Sequence, residues 1–336
     1  MNKKLTKLNI GIWTQLDWAY GRLYHDIQKY SRHNIQLFDW MKWYPEEHWK
    51  QFDLVYIPIW YTTRLLTGWC PGIDKRRLIF SVQGLAELFN RVFDPDIKQI
   101  NINQEIVDKK VIPEDTINYF KKVPMISVIS QELYDLLTQR YNLNNIMLTQ
   151  HGVDLEIFKP IENNNSKLKV LYHLRRGQVP DHGYNKNRSW IVQEIEKRVS
   201  AKIDFIFPEK QIYYQDMPKF YVGDIYLCVS HSEGGPMSPL EAGACGLITI
   251  STNVGNMPQF IKDGETGYLI KSKDEEEIIK EFCEKLLYLD QNRDVLAKMK
   301  GNMLTDIKNW SWEKKIKAWD DFFESAYNEP RAGEGD

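Results

Sequence analysis

Cysteine is scarce: Cys70, Cys228, Cys245 and Cys283 are the only four in 336 residues, and no two form a Cys-x-x-Cys pair. This argues against the common zinc and dithiol motifs. With two of the four inside apolar runs, reduced and mostly buried thiols are expected. The seven histidines include no His-Glu-x-x-His. No Gly-x-x-x-x-Gly-Lys and no Gly-x-Gly-x-x-Gly follows a strand, which removes the usual ATPase and dinucleotide readings. No apolar run approaches the roughly 18 residues of a spanning helix, and Lys3, Lys4 and Lys7 have no signal-type apolar core behind them. A cytoplasmic protein is expected, with at most peripheral membrane attachment. A net charge of −2 gives no global attraction to nucleic acid or to an anionic membrane. Asp94-Pro95-Asp96 has the form of a divalent-metal motif, but it sits in a polar loop rather than at a strand end, so a turn is expected and no metal.

Aromatic residues, by contrast, are abundant: 13% of the chain, with 11 Trp. Short apolar runs alternate with amphipathic segments throughout. Runs at 8–14, 34–40, 53–60, 77–84, 125–130 and 145–152 read as strands, with helices at 20–31 and 131–141, the latter capped by Ser130. After a polar linker at 162–167 come strands at 168–174, 202–207 and 266–271 and helices at 187–200, 274–290 and 291–308. An amphipathic helix at 310–327 repeats Trp312, Ile316, Trp319, Phe322 and Phe323 every three to four residues. The pattern predicts an α/β fold with parallel sheets covered by helices on both faces.

The chain is organised around residues 224–252, DIYLCVSHSEGGPMSPLEAGACGLITIST. Ile225, Leu227 and Val229 lead into a turn. Pro236 stands before a short helix of good formers, Gly246 ends it, and a second apolar run follows. This is a strand–turn–helix–strand unit, which places a ligand at the carboxyl end of its first strand. Glu233 lies in the turn and Glu241 about one helical turn into the helix. Gly234 and Gly235 let backbone approach a ligand, and the helix start attracts an anion. Carboxylates for hydroxyls and amides for a phosphate suit a polyol joined to a phosphate; an ordinary turn with a solvated Glu and a capping Ser is the plainer alternative.

Residues 230–246, followed by NVGNMPQFIKDGETGYLI at 253–270, resemble the donor-sugar signature of the retaining, family 4-type glycosyltransferases of the GT-B fold (glycosyl transferases group 1). HGVDLEIFKP at 151–160 is similar to the segment that ends that family's first domain. The resemblance implies two doubly wound Rossmann-like domains facing a central cleft. Residues 1–157 would form the acceptor-side domain and 158–309 the nucleotide-sugar domain, with 310–330 a helix crossing back to the first. It implies that Glu233 contacts the transferred sugar and Glu241 the ribose, within a donor site that also takes in Gly234, Gly235, Pro236, Met237 and Ser238.

Two arginines at a strand end, with Lys186 before the next helix, suit a diphosphate clamp as well as they suit a solvated basic loop. The resemblance favours the clamp, with Arg175 and Lys186 as ligands and Arg176 as the alternative to Arg175. Leu174 stands where the family has Gly, Gly21 is the only candidate for its first-loop glycines, and Gln83 in Ser-Val-Gln-Gly replaces its usual His. Gln83 and Glu233 are the candidate catalytic residues. The implied activity is metal-independent transfer of a hexosyl group, with retention, from a UDP-sugar (GDP-sugar as the alternative) to a glycan, lipid-linked or other hydroxyl acceptor. The nucleotide-sugar is a co-substrate and no cofactor is implied. Lys75-Arg76-Arg77 is the best patch for an anionic acceptor. Rival readings are a transferase acting on modified DNA, a nucleotide-sugar epimerase and a non-catalytic partner subunit. Residues 1–150 carry 19 Lys/Arg against 16 Asp/Glu, net +3, too little for a usual duplex-binding face.

Overall fold

The computed structural model describes residues 7–16, 19–70, 72–85, 88, 111–161, 166–173, 189–209 and 212–329. Two compact units divide the chain: Met1–His151 together with Lys315–Asp336, and Gly152–Lys314. Residues 152–157 group with the second unit, where the Val153 amide donates to the Trp310 carbonyl (2.8 Å) and the Trp312 amide to that of Val153 (3.2 Å).

The first unit is a parallel sheet of β1 (Asn9–Thr14), β2 (Asn34–Asp39), β3 (Leu54–Ile57), β4 (Leu78–Val82), β5 (Ile126–Val128) and β6 (Ile146–Leu148), in the order β2-β1-β3-β4-β5-β6. Alternate side chains go to opposite faces, and both faces are apolar, as a sheet covered on two sides requires. Trp13, Val55, Ile57, Phe80, Val82 and Val128 enter one core cluster. On the other face Tyr56 lies 5.9 Å, centroid to centroid, from each of Trp319, Phe322 and Phe323. Those three belong to the helix Trp312–Asn328, whose Trp312, Ile316, Trp319, Phe322 and Phe323 recur at helical spacing and are all buried. The Trp319 indole also donates to the Gln150 carbonyl at 3.1 Å. Truncating such a fully buried Trp costs about 3–5 kcal/mol. Ser130 accepts from the Leu133 amide at the expected cap, but the helix beyond it is α-helical only over Gln131–Asp135 and widens to π-helix over Leu136–Arg140.

The second unit is a parallel sheet of β7 (Leu168–Leu171), β8 (Ile203–Ile206), β9 (Ile225–Cys228), β10 (Ile248–Thr252) and β11 (Gly267–Ile270), in the order β11-β10-β9-β7-β8. The chain passes from β7 to β8 on one side and then to β9 on the other, so the order reverses at β7. That point, at the carboxyl ends of the strands, is where open α/β sheets take ligands. Val170, Ile225, Leu227 and Ile250 face a cluster built with the helices Ser189–Val199 and Glu275–Gln291. Leu171, Tyr226 and Cys228 face the cluster that contains Leu240, Ala242 and Ala244 of the helix Met237–Ala244.

Gly246 ends that helix as expected. Its φ of +91° is left-handed backbone, its amide bonds the Gly243 carbonyl, and the Leu247 amide bonds that of Ala242, both at 3.0 Å. This pair of bonds is a Schellman close, which favours Gly because no Cβ opposes the left-handed turn.

Candidate active site

The second unit brings Glu233, Gly234, Gly235, Pro236, Met237, Ser238 and Glu241 together between β9 and the helix Met237–Ala244. Pro236 is the N-cap, with extended backbone and no side-chain cap, and Pro239 supplies no amide hydrogen in the first turn. The turn is held from two directions. Ser230 Oγ donates to Glu233 Oε1 (2.9 Å), and Thr252 Oγ1 donates to the Ser230 carbonyl (2.5 Å), which ties the end of β10 to the residues after β9. Gly255 presses its backbone onto the turn from the segment after β10. Its φ is +54°, and a Cβ there would stand 2.3 Å from the Gly234 carbonyl oxygen. Only glycine suits both conditions.

The two carboxylates differ in environment. Glu233 is half-buried, whereas Glu241 is 2% exposed and accepts at Oε2 from the Tyr221 hydroxyl at 2.7 Å. Burial, reinforced by the Glu241 charge, raises the Tyr221 pKa well above its ordinary value, so the phenol stays protonated and remains a donor. Burial also raises Tyr226. The Tyr221 and Tyr226 rings meet edge to face, 6.0 Å between centroids. At the carboxyl end of β7, His173 Nδ1 is 2.6 Å from the Tyr226 hydroxyl, with the rings stacked at 17°.

Tyr221, Tyr226 and His173 are the members that sequence reasoning missed. They come from three separate segments, and each reads locally as an apolar or strand-end residue. The alternation of β9, which puts Tyr226 and Cys228 on the face shared with the helix, was the available signal.

Gln83 lies in the first unit, just after β4, and is 5% exposed. Its amide donates to Ser81 Oγ (2.8 Å) and to the Tyr24 hydroxyl (3.4 Å). Ser81 in turn donates to the Ser127 carbonyl, and Tyr56 bridges Tyr24 and Ser127 at 3.5 and 3.3 Å. Arg175, Arg176 and Lys186 lie outside the described residues, as do Leu174, Asp94 and Asp96. The Lys75–Arg77 patch is largely self-paired: Arg76 makes two bonds to the Asp74 carboxylate (2.9 and 3.1 Å), and Arg77 reaches the Phe52 carbonyl (3.0 Å). Among the described residues no three His, Cys, Asp or Glu side chains could hold a metal ion, and no helix is long and apolar enough to cross a membrane. All four cysteines are free and buried, and burial pushes the Cys228 and Cys245 thiols up to about 11 and about 12.

Residues 183–301 match the family model described as "Glycosyl transferases group 1". The matched stretch is similar to that family over its own length only. It contains the whole Glu233–Glu241 turn. N-acetyl-alpha-D-glucosaminyl L-malate synthase of Bacillus anthracis is 42% identical over 53 residues, 16% of this chain and 14% of its own length. D-inositol 3-phosphate glycosyltransferase of Mycobacterium sp. (strain KMS) is 30% identical over 80 residues, 24% of this chain and 18% of its own. The chain therefore matches less than a fifth of the length of these curated relatives.

Likeness in structure extends further than likeness in sequence. Sucrose-phosphate synthase from Thermosynechococcus elongatus has a TM-score of 0.66 at 12% identity, covering 96% of this chain and 99% of that one. Anabaena Alr3699/HepE, solved in complex with UDP-glucose, has a TM-score of 0.63 at 13% identity, covering 95% and 100%. With both parallel-sheet units matched, the stretch that matches the family model sits in a GT-B fold.

Proposed function

We propose that this chain is a retaining, metal-independent hexosyltransferase of the family 4 type, which uses a nucleotide-diphosphate sugar as donor. A single observation carries the reading. One carboxylate in the turn and one buried carboxylate on the helix flank an uncapped helix start at the carboxyl end of a parallel strand. Glu241, braced by Tyr221, would accept from the ribose hydroxyls. Glu233, oriented by Ser230, would accept from the transferred sugar and favour the positive charge that develops on it. The helix start, with Arg175 or Arg176 and Lys186, would hold the leaving diphosphate. A UDP-sugar is the favoured donor, supported by the UDP-glucose complex of the Anabaena neighbour. The acceptor is a hydroxyl on a glycan, lipid-linked or other carrier, and no cofactor takes part.

The test is release of nucleoside diphosphate, coupled to glycosylation of an acceptor panel and followed by mass spectrometry with and without chelator. Activity that survives chelator, with an α-linked product from an α-linked donor, is the expected result. A strict Mg²⁺ or Mn²⁺ requirement would contradict the metal-independent reading. A second reading, a non-catalytic partner subunit, is favoured by Gln83, which cannot titrate between about pH 5 and 8 and whose amide is engaged with Ser81 and Tyr24.

A further inference from the structure

We propose that His173 is an additional binding residue for the donor's diphosphate, with its Nε2–H held as a neutral donor toward a phosphate oxygen by the Tyr226 hydroxyl on Nδ1. The inference rests on the nucleotide-sugar reading above and extends it to a residue outside the turn.

Position is the first argument. His173 lies two residues beyond β7, the strand at which the sheet order reverses, and so at the edge where such sheets take ligands. Connection is the second. Leu171 and Tyr226 are register partners in β7 and β9, so the Tyr226 phenol reaches the imidazole from the neighbouring strand. The Tyr226 ring in turn meets that of Tyr221 edge to face, 6.0 Å between centroids, and Tyr221 bonds Glu241 of the helix Met237–Ala244. The imidazole is thus linked through the two tyrosines to the helix that carries Glu241.

The third argument is the tautomer. Burial keeps the Tyr226 phenol protonated and pushes the imidazole down to about 4, so neutral His173 meets a phenol that retains its proton. A phenol O–H is more acidic, and so a better donor, than a neutral imidazole N–H; the phenol therefore donates to Nδ1, and the imidazole proton is left on Nε2. The bond at one ring nitrogen decides what the other offers. Tyr226 is the only hydrogen-bond partner of His173 among the described residues, and the side chain is half-buried rather than enclosed. An N–H fixed in orientation at the carboxyl edge of the sheet is suited to an anionic oxygen.

The experiment titrates wild type, His173→Phe, His173→Gln and Tyr226→Phe calorimetrically with UDP (GDP and ADP as alternates) and with the matching nucleoside and UDP-glucose. His173→Phe is expected to weaken the nucleoside diphosphate about tenfold or more while leaving the nucleoside unchanged, as loss of a hydrogen bond to a charged group implies. His173→Gln, which keeps a donor at similar reach, should restore most of that loss. Tyr226→Phe should fall between, because the ring remains and the tautomer is no longer fixed. Equal weakening of nucleoside and nucleoside diphosphate would assign His173 a structural role and overturn the proposal. So would a loss confined to UDP-glucose, which would place the N–H on a sugar hydroxyl. Unchanged binding in His173→Phe overturns the proposal while leaving the donor reading intact. Failure of wild type to bind any of the three nucleoside diphosphates removes the donor reading, and this inference with it.

Discussion

Both units bury polar side chains against a parallel sheet, but they do so to different ends. In the first unit Tyr24, Tyr56, Ser81, Gln83 and Ser127 are all neutral and are hydrogen-bonded to one another. In the second unit a chain of contacts runs from a buried carboxylate, Glu241, through the Tyr221 hydroxyl and the adjoining ring of Tyr226 to an imidazole at the strand edge. A buried neutral network favours one core arrangement. A buried carboxylate at the end of the sheet where ligands sit is placed to meet one. The difference teaches that burial of polar groups alone does not mark a site. Charge and placement at the carboxyl edge do.

The largest expected effect comes from Gly255. Gly255→Ala would combine left-handed backbone with a clash against the Gly234 carbonyl, and about 2–4 kcal/mol of stability should be lost. Denaturant unfolding measures it. A change below about 0.5 kcal/mol would mean that the Glu233 turn is not held from this side.

Next is the carboxylate pair. Glu241→Ala should weaken nucleotide binding by about 1.5–3 kcal/mol, roughly ten- to a hundredfold, whereas Glu233→Ala should depress kcat more than binding. Wild-type kinetics in both variants would remove the site from this turn.

A third prediction uses pH. The folded pKa of His173 is about 4, below the unfolded value near 6.5. As pH falls the unfolded chain takes up the proton first, so the contribution is complete above about pH 6.5 and is lost as pH falls toward 4. His33, in the first unit, is lowered in the same way by burial, but Asp320 and Glu324 oppose the shift. Unfolding free energies at pH 7 and pH 4.5 should therefore fall by roughly 2 kcal/mol less in His173→Gln than in wild type. Equal slopes would contradict the burial of a neutral imidazole.

The smallest effect belongs to the closed network. Gln83→Ala should cost about 1 kcal/mol of stability, the net value of a buried hydrogen bond. If Gln83 serves only to hold its neighbours or to orient a sugar, Gln83→His should be the milder change and the wild-type pH–rate profile should show no imidazole-like step. A large gain in rate for Gln83→His would instead favour the non-catalytic reading.

What was legible in the sequence follows from locality. The strand, the Gly-Gly turn, the helix and the Gly246 stop lie within 29 consecutive residues, and their φ requirements and periodicity are written in residue type. The amphipathic last helix was legible for the same reason. Tyr221, Tyr226 and His173 were not, because their meeting depends on the β7–β9 register, which no local pattern specifies. The π-helical widening after Asp135 was also hidden, since the residues concerned are ordinary helix formers. Gln83 stood out as a departure from a family pattern, but its partner Tyr24 comes from a distant helix, and its partner Ser81 is tied to Ser127 only through the β4–β5 pairing.

The central claim is that the second unit binds a nucleotide-sugar through Glu241. The most direct test is thermal unfolding of wild type and Glu241→Ala across a panel of UDP- and GDP-sugars. At 100 times its dissociation constant the true donor should stabilise wild type by about 2.7 kcal/mol, and the same concentration should stabilise Glu241→Ala by only about 0.4–1.4 kcal/mol. A panel in which no nucleotide-sugar stabilises wild type, or one in which the variant is stabilised equally, would contradict the account.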